Sequence, residues 1–297
     1  MKKTKLFFFG AVAGSCLAIC LLLGVLGKAS QPQGDTTVTL TLSQTGQTIT
    51  LPLEEYVVGV LLAELPPSYH PDCFRALAVA VRTLAVKNNG TLSDDPAVCQ
   101  GYWTAQTASA KLGEAYPTAL EQAQAAARDT EGFVLTYQGK PALTSYFACS
   151  SGATCSSQWV WGGDLPYLTG VDSPWDTTSS DYCSTQTISR ETLEQWGQDL
   201  PVVTAQADNG YVLSLTWGEE TLTGEQARQR LGLKSGCFTL QEELDGSLTA
   251  TVYGYGHGVG MSIYGANAMA KEGNRWEEIL AWYYPGCQIS KNSQKGD

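Results

Sequence analysis

Residues 56–87 read YVVGVLLAELPPSYHPDCFRALAVAVRTLAVK, and their reading decides the fold: two helices joined by a proline-bearing elbow, with one acid, Glu64, closing the first. Val57, Val60, Leu61 and Glu64 fall at i, i+3, i+4 and i+7, so the carboxylate belongs to the apolar stripe and not to the wet face. Pro66 and Pro67 stop the helix, because proline has no N–H to donate and disfavours helical geometry in the residue before it. A carboxyl at the rim of an apolar face keeps its proton to higher pH than a hydrated one. A local cap or ion pair is the plainer role for a lone helical glutamate, so Glu64 gains weight only from its surroundings. The second helix is expected to start after Pro71, with Asp72 as N-cap, and to stop at Asn88-Asn89-Gly90. Phe74, Leu77, Val81 and Leu84 form its core stripe. Arg82 rises between Ala78 and Ala85 from an alanine-paved face, which leaves room for a sugar or carboxylate ligand or for a structural carboxylate.

The chain has 297 residues, 43% of them hydrophobic, enough for one large domain or two modest ones. Its net charge is −11, and with Lys2, Lys3, Lys5 and Lys28 set aside the remainder carries 14 basic against 29 acidic side chains. A surface that acidic repels phosphate backbones, which argues against nucleic acid as a partner. Residues 6–26 are an apolar run of about the 20 residues needed to cross a bilayer. Lysines ahead of it predict a cytoplasmic stub (1–5), a transmembrane helix (6–26), a linker (27–36) and an extracytoplasmic remainder, hence a single-pass protein of the cell membrane. Cleavage as a signal peptide near Gly27 and Ala29 is the rival expectation. Outside that run lie Cys73, Cys99, Cys149, Cys155, Cys183, Cys237 and Cys287; in an oxidising compartment they favour disulfides. Cys149 and Cys155, within ACSSGATC, are the only close pair. A local disulfide or free thiols come first for them and zinc second, since His70 and His257 are both remote in sequence. No metal or cofactor is therefore assigned.

From the N-terminal side, 37–42 and 47–51 alternate threonine with aliphatic residues about a turn and read as a hairpin. The stretch GTLSDDPAVCQGYWTAQ reads as a loop offering Gln100, Tyr102 and Trp103. An amphipathic helix is expected over 117–129, then strands over 132–137 and 141–148. The second strand empties into CSSGATCSSQWVWGG, where hydroxyls, exposed amides, Trp159 and Trp161 suit either a stacked sugar or an ordinary polar turn. A short helix over 189–197 and strands over 202–254, interrupted by a helix at 224–231, read as β-rich support (165–253) without chemistry. In GYGHGVGMSIYGANAMAKEGNRWEEILAWYYPG, glycines 254, 256, 258 and 260 bracket His257 and let the backbone fold tightly around the imidazole. No lysine and hydroxyl stand in register for a phosphate loop. Two helices follow, with Trp276, Ile279, Leu280 and Tyr283 as core. The expected fold class is α+β: a single-pass N-terminal anchor, then a mixed helical and β-rich extracytoplasmic domain over 37–287 and a polar tail over 288–297.

YVVGVLLAELP with ALAVAVRTLA, then CQGYW, SSGATCSSQWVWG, GYGHGVGMSIYGANAMAKEG and ILAWYYPG, in that order and spacing, resemble the stage II sporulation protein D (SpoIID/LytB) family. The resemblance covers about residues 37–287. It implies a lytic transglycosylase that cleaves the MurNAc–GlcNAc bond of peptidoglycan strands already stripped of stem peptides, leaving 1,6-anhydro-MurNAc ends, in septal wall remodelling or engulfment. It maps the catalytic acid onto Glu64 and an important arginine onto Arg82. Gln100, Tyr102, Ser151, Gly152, His257 and Tyr264 join Arg82 as candidates for holding the glycan. The partners it implies are a cell-wall amidase and an engulfment membrane protein. Ala148, Ala153 and Ile263 depart from the family pattern at positions where histidine, glycine and glutamine are usual. Some relatives bind zinc near the Cys149–Cys155 loop, but no histidine accompanies the cysteines here. A non-catalytic wall-binding activator of an amidase is the alternative, and a cysteine hydrolase using Cys149 and His257 is a third.

Overall fold

The computed structural model describes residues 36–95 and 100–292. The hairpin forms as expected: β1 (Thr37–Thr41) and β2 (Thr48–Pro52) pair antiparallel, with Val38 and Leu40 turned inward. β3 (Thr91–Ser93) adds to β1 in parallel. The hairpin feeds α1 (Leu53–Glu64), which ends where Leu65 is forced extended (φ −113°, ψ 129°) ahead of Pro66. α2 (Pro71–Lys87) takes its N-cap two residues earlier than the Asp72 its sequence suggests. Its N-cap is His70, whose Nδ1 accepts the Asp72 N–H at 3.2 Å, and Pro71 takes the first helical position, where no N–H is needed.

Ala105 and Gln106, the end of the expected loop, instead open α3 (Ala105–Leu112), because the Thr104 hydroxyl caps it by accepting from Thr107 N–H. α4 (Tyr116–Asp129) packs against both α1 and α2, and β4 (Phe133–Tyr137) leads into the short β5 (Lys140–Pro141). The expected strand over 141–148 breaks in two. Its second part, β6 (Tyr146–Phe147), leaves the hairpin to pair in parallel with a partner more than a hundred residues on, β13 (Met261–Ser262). α5 (Ser157–Trp161) follows the cysteine loop, and β7 (Cys183–Ile188) and α6 (Arg190–Glu194) open the β-rich part.

That part consists of β8 (Val202–Gln206), β9 (Val212–Trp217), β10 (Glu220–Leu222), α7 (Gly224–Leu231), β11 (Cys237–Glu242) and β12 (Leu248–Tyr253). Two three-stranded sheets, ordered β10-β9-β8 and β11-β12-β7, bury a core of their own around Leu215, Phe238 and Val252. The larger core lies around α1 and α2, joined by α8 (Ile263–Lys271) and α9 (Trp276–Tyr283). Gln288–Lys291, expected in a polar tail, forms β14 and pairs antiparallel with β4.

The expected membrane architecture is corrected here. Among the described residues no helix is long and apolar enough to cross a membrane. The stretch 6–26, on which the anchor was placed, lies outside the described residues. The fold class therefore stands as mixed α/β without a supported N-terminal anchor, and the single-pass cell-membrane localisation falls with it.

Candidate active site

Glu64 is the last residue of α1, so its carboxyl leaves the helix where backbone carbonyls crowd and negative charge is least welcome. Burial raises its pKa above the ordinary carboxylate value; the Gly101 N–H, 2.9 Å from Oε1, hydrogen-bonds the charged form, and the neighbouring Tyr146 side chain also pulls partly back. Gly101 is tight against the acid: a Cβ there would stand 3.0 Å from Oε1. The carboxyl opens into a cleft of about 1120 Å³, which Gln100, Tyr146, His257 and Tyr264 also line.

Gln100 is 3% exposed. Its Oε1 accepts the Tyr56 hydroxyl at 2.9 Å, which fixes the carboxamide and leaves buried Nε2, beside the cleft, without a partner among the described residues. His257 is held by both nitrogens. Nδ1 accepts the Val259 N–H at 3.1 Å, and the other nitrogen donates to the Tyr146 carbonyl. Burial and the nearby Arg228 charge push its pKa down to about 4, so the imidazole is neutral. Phe147 and Trp161 flank it, with ring centroids 5.6 and 5.2 Å away. The imidazole thus orients the strand that carries Tyr146 towards Glu64. Four glycines with φ between +80° and +113° make this approach possible; a Cβ on Gly260 would collide with the Ser145 carbonyl.

The remaining expected ligand residues do not line the cleft. Arg82 is fully buried: Nε and Nη2 donate to Glu54 Oε1 and Oε2 at 2.7 and 2.6 Å, and Nη1 donates to the Phe133 carbonyl at 3.1 Å. Its alanine-paved face admits a structural carboxylate, so the glycan contact expected of Arg82 is corrected to a tie between α1, α2 and β4. Tyr102 stacks on Tyr56 at 5.9 Å and covers Gly59. The Ser151 hydroxyl donates to the Asn209 carbonyl at 3.0 Å, and Gly152 (φ +102°) turns the loop so that its carbonyl accepts the Ser173 N–H.

Several cleft residues escaped the sequence reading. Tyr146 and Tyr69 are ordinary aromatics in sequence; only the β6–β13 pairing and the elbow after α1 bring them to the acid's cleft. The part expected to hold no chemistry supplies Glu225, Arg228 and Gln229 to the same cleft. Asp176, fully buried, accepts hydroxyl hydrogen bonds from Ser150, Ser173 and Ser262 at 2.6–2.7 Å and so locks three separated segments together. The sequence signal for it was thin, one acid in a Pro-Trp-Asp run.

Among the described residues no cluster of three or more His, Cys, Asp or Glu is placed to hold a metal ion. The donors of the cysteine loop do not fit zinc: Cys149 Sγ faces the Ser150 and Asp176 carbonyls, while Cys155 Sγ faces Cys237 and Asn209. The hydrolase pairing of Cys149 with His257 fails for a related reason. Burial pushes the Cys149 thiol up to about 12, and both imidazole nitrogens are engaged elsewhere.

A mixed α/β fold with a part-buried carboxyl, its pKa raised by its surroundings, facing an aromatic-walled cleft defines an acid-in-cleft class of site. The comparisons agree on where such a chain belongs. The family model described as stage II sporulation protein, SpoIID, matches residues 42–137. Stage II sporulation protein D of Bacillus subtilis is 36% identical over 258 residues, covering 81% of this chain and 75% of that protein. The Bacillus amyloliquefaciens protein of the same name is equally similar. A Bacillus subtilis protein named amidase enhancer is 25% identical over 78% of this chain and 40% of its own length. The chain belongs to the stage II sporulation protein D family.

Proposed function

We propose that this protein is a peptidoglycan lytic transglycosylase acting in sporulation. The observation that carries the reading is the Glu64 carboxyl, raised by burial and facing the cleft. A carboxyl of that kind donates its proton to the oxygen joining MurNAc to GlcNAc as the bond breaks with oxocarbenium character. The resulting carboxylate then takes the proton from the sugar's own C6 hydroxyl, and that oxygen closes the 1,6-anhydro ring. No water attacks, so one acid serves both steps. The Gly101 N–H and the Tyr146 side chain steady the carboxylate between them.

The unpartnered Gln100 Nε2 supports a polar ligand in the cleft, since a buried donor left unsatisfied is costly and an acetamido carbonyl or sugar hydroxyl would meet it. Half-exposed Trp161 and Tyr255 along the cleft supply faces for sugar stacking. Trp159, the other tryptophan of that loop, stacks on buried Tyr211.

The test is incubation of the full chain with denuded glycan strands, followed by analysis for anhydromuramyl products. Glu64→Gln should lower product formation by about 10²–10⁴-fold while the fold is retained. Equal product from the variant removes the assignment. The likeness to an amidase enhancer favours a second reading, a wall-binding activator of an amidase. In that case Glu64→Gln would leave the stimulation of amidase activity intact.

A further inference from the structure

Cys237 lies in the part of the chain that reads as support, yet its sulfur has an unusual set of neighbours. The Cys155 thiol lies against it, and the Ser235 hydroxyl, which accepts the Cys237 N–H at 3.0 Å, stands beside the sulfur. Cys155 is 1% exposed and Cys237 3%. Backbone pairing fixes both positions. Cys155 N–H donates to the Gly258 carbonyl at 2.7 Å, Tyr211 bridges Cys237, and Ser235 bridges Gly256, two residues before Gly258. Asn209 ties the two sides, with Nδ2–H donating to Cys155 Sγ at 3.5 Å and Oδ1 accepting the Tyr211 N–H at 3.1 Å. The sulfurs therefore meet because the folds on either side are already docked.

We propose that Cys155 and Cys237 form a dithiol site that a small disulfide oxidant closes into an intramolecular cross-link, tying the loop behind the cleft to β11. Both sulfurs lie in the larger core, and the next residue of that strand, Phe238, belongs to the second, so the bond would sit beside the junction of the two cores. The Cys155 thiol and the Ser235 hydroxyl beside Cys237 favour its thiolate, which makes it the attacking sulfur; Cys155 carries the proton. The Cys237 thiolate attacks one sulfur of an oxidant RSSR, forming a mixed disulfide and releasing RS⁻, which takes up a proton as RSH. Cys155 then loses its proton and attacks the Cys237 sulfur, expelling the second RS⁻ as RSH. The balance is one protein dithiol and one RSSR to one protein disulfide and two RSH. The nearby pairing of Cys149 with Cys155 is disfavoured, because the Cys149 sulfur faces backbone carbonyls instead.

The site is independent of the glycan chemistry, and so is its test. The full chain is reduced and unfolded, refolded in a buffer of reduced and oxidised glutathione, alkylated, and digested without reductant for mass spectrometry. The expected result is a linked Cys155–Cys237 peptide pair with a loss of about two mass units, and a midpoint of thermal unfolding raised by several degrees over the reduced protein. Cys149→Ser should keep the cross-link; Cys155→Ser should abolish it and leave Cys237 open to alkylation. A Cys149–Cys155 bond, full alkylation of both thiols after oxidative refolding, or glutathione retained on wild-type Cys237 would each overturn the proposal.

Discussion

At the scale of single residues, the proton on Glu64 is governed by three neighbours that sequence spacing does not place together. Burial raises its pKa, while Gly101 and Tyr146 hold it from rising further. Removing the Tyr146 hydroxyl takes away a donor to the charged form, so Tyr146→Phe should raise the Glu64 pKa again. The alkaline limb of the pH–rate profile, which follows loss of the acid's proton, should then move to higher pH. An unmoved limb in that variant would show that the phenol does not touch the acid's charge.

At the scale of elements, α1, α2 and β4 meet on one guanidinium. The Arg82 side chain is 1% exposed and Glu54 34%, so removal of the carboxylate strands a buried cation. Glu54→Ala should cost about 3 kcal/mol in chemical denaturation, at the low end of the range for a broken buried pair because the Phe133 and Ala127 carbonyls still accept from Arg82. Activity per folded molecule should be unchanged, since neither Arg82 nor Glu54 lines the cleft. A selective loss of turnover with stability intact would return Arg82 to the site.

At the scale of the whole molecule, burial of His257, helped by the charge of Arg228 that the β-rich part brings to the same cleft, disfavours the charged imidazole. Its folded pKa of about 4 lies below the ordinary 6.5. Between those values the unfolded chain binds a proton that the folded chain refuses, so stability falls as pH drops through that window. Glu64 acts with the opposite sign, because its raised folded pKa makes protonation favour the fold. The His257 contribution is isolated by comparing denaturation of the wild type with His257→Gln at pH 7 and pH 4.5. The wild type should lose about 2–3 kcal/mol relative to the variant on acidification. Equal losses would mean that the imidazole titrates freely.

The sequence alone determined the elbow helices, the place of Glu64 on an apolar stripe, the Gly224–Leu231 helix and the glycine frame around His257. Periodicity, proline and glycine act locally, and their effects are legible over a few residues. The partners of the acid were not legible, because Tyr146 reaches Glu64 only through a parallel pairing between β6 and β13. The burial of Arg82 was equally out of reach: alanines beside a guanidinium read the same whether the space is filled by a sugar or by Glu54. Which of two companions occupies a gap depends on contacts between segments far apart in the chain, and those contacts exist only once the fold has formed.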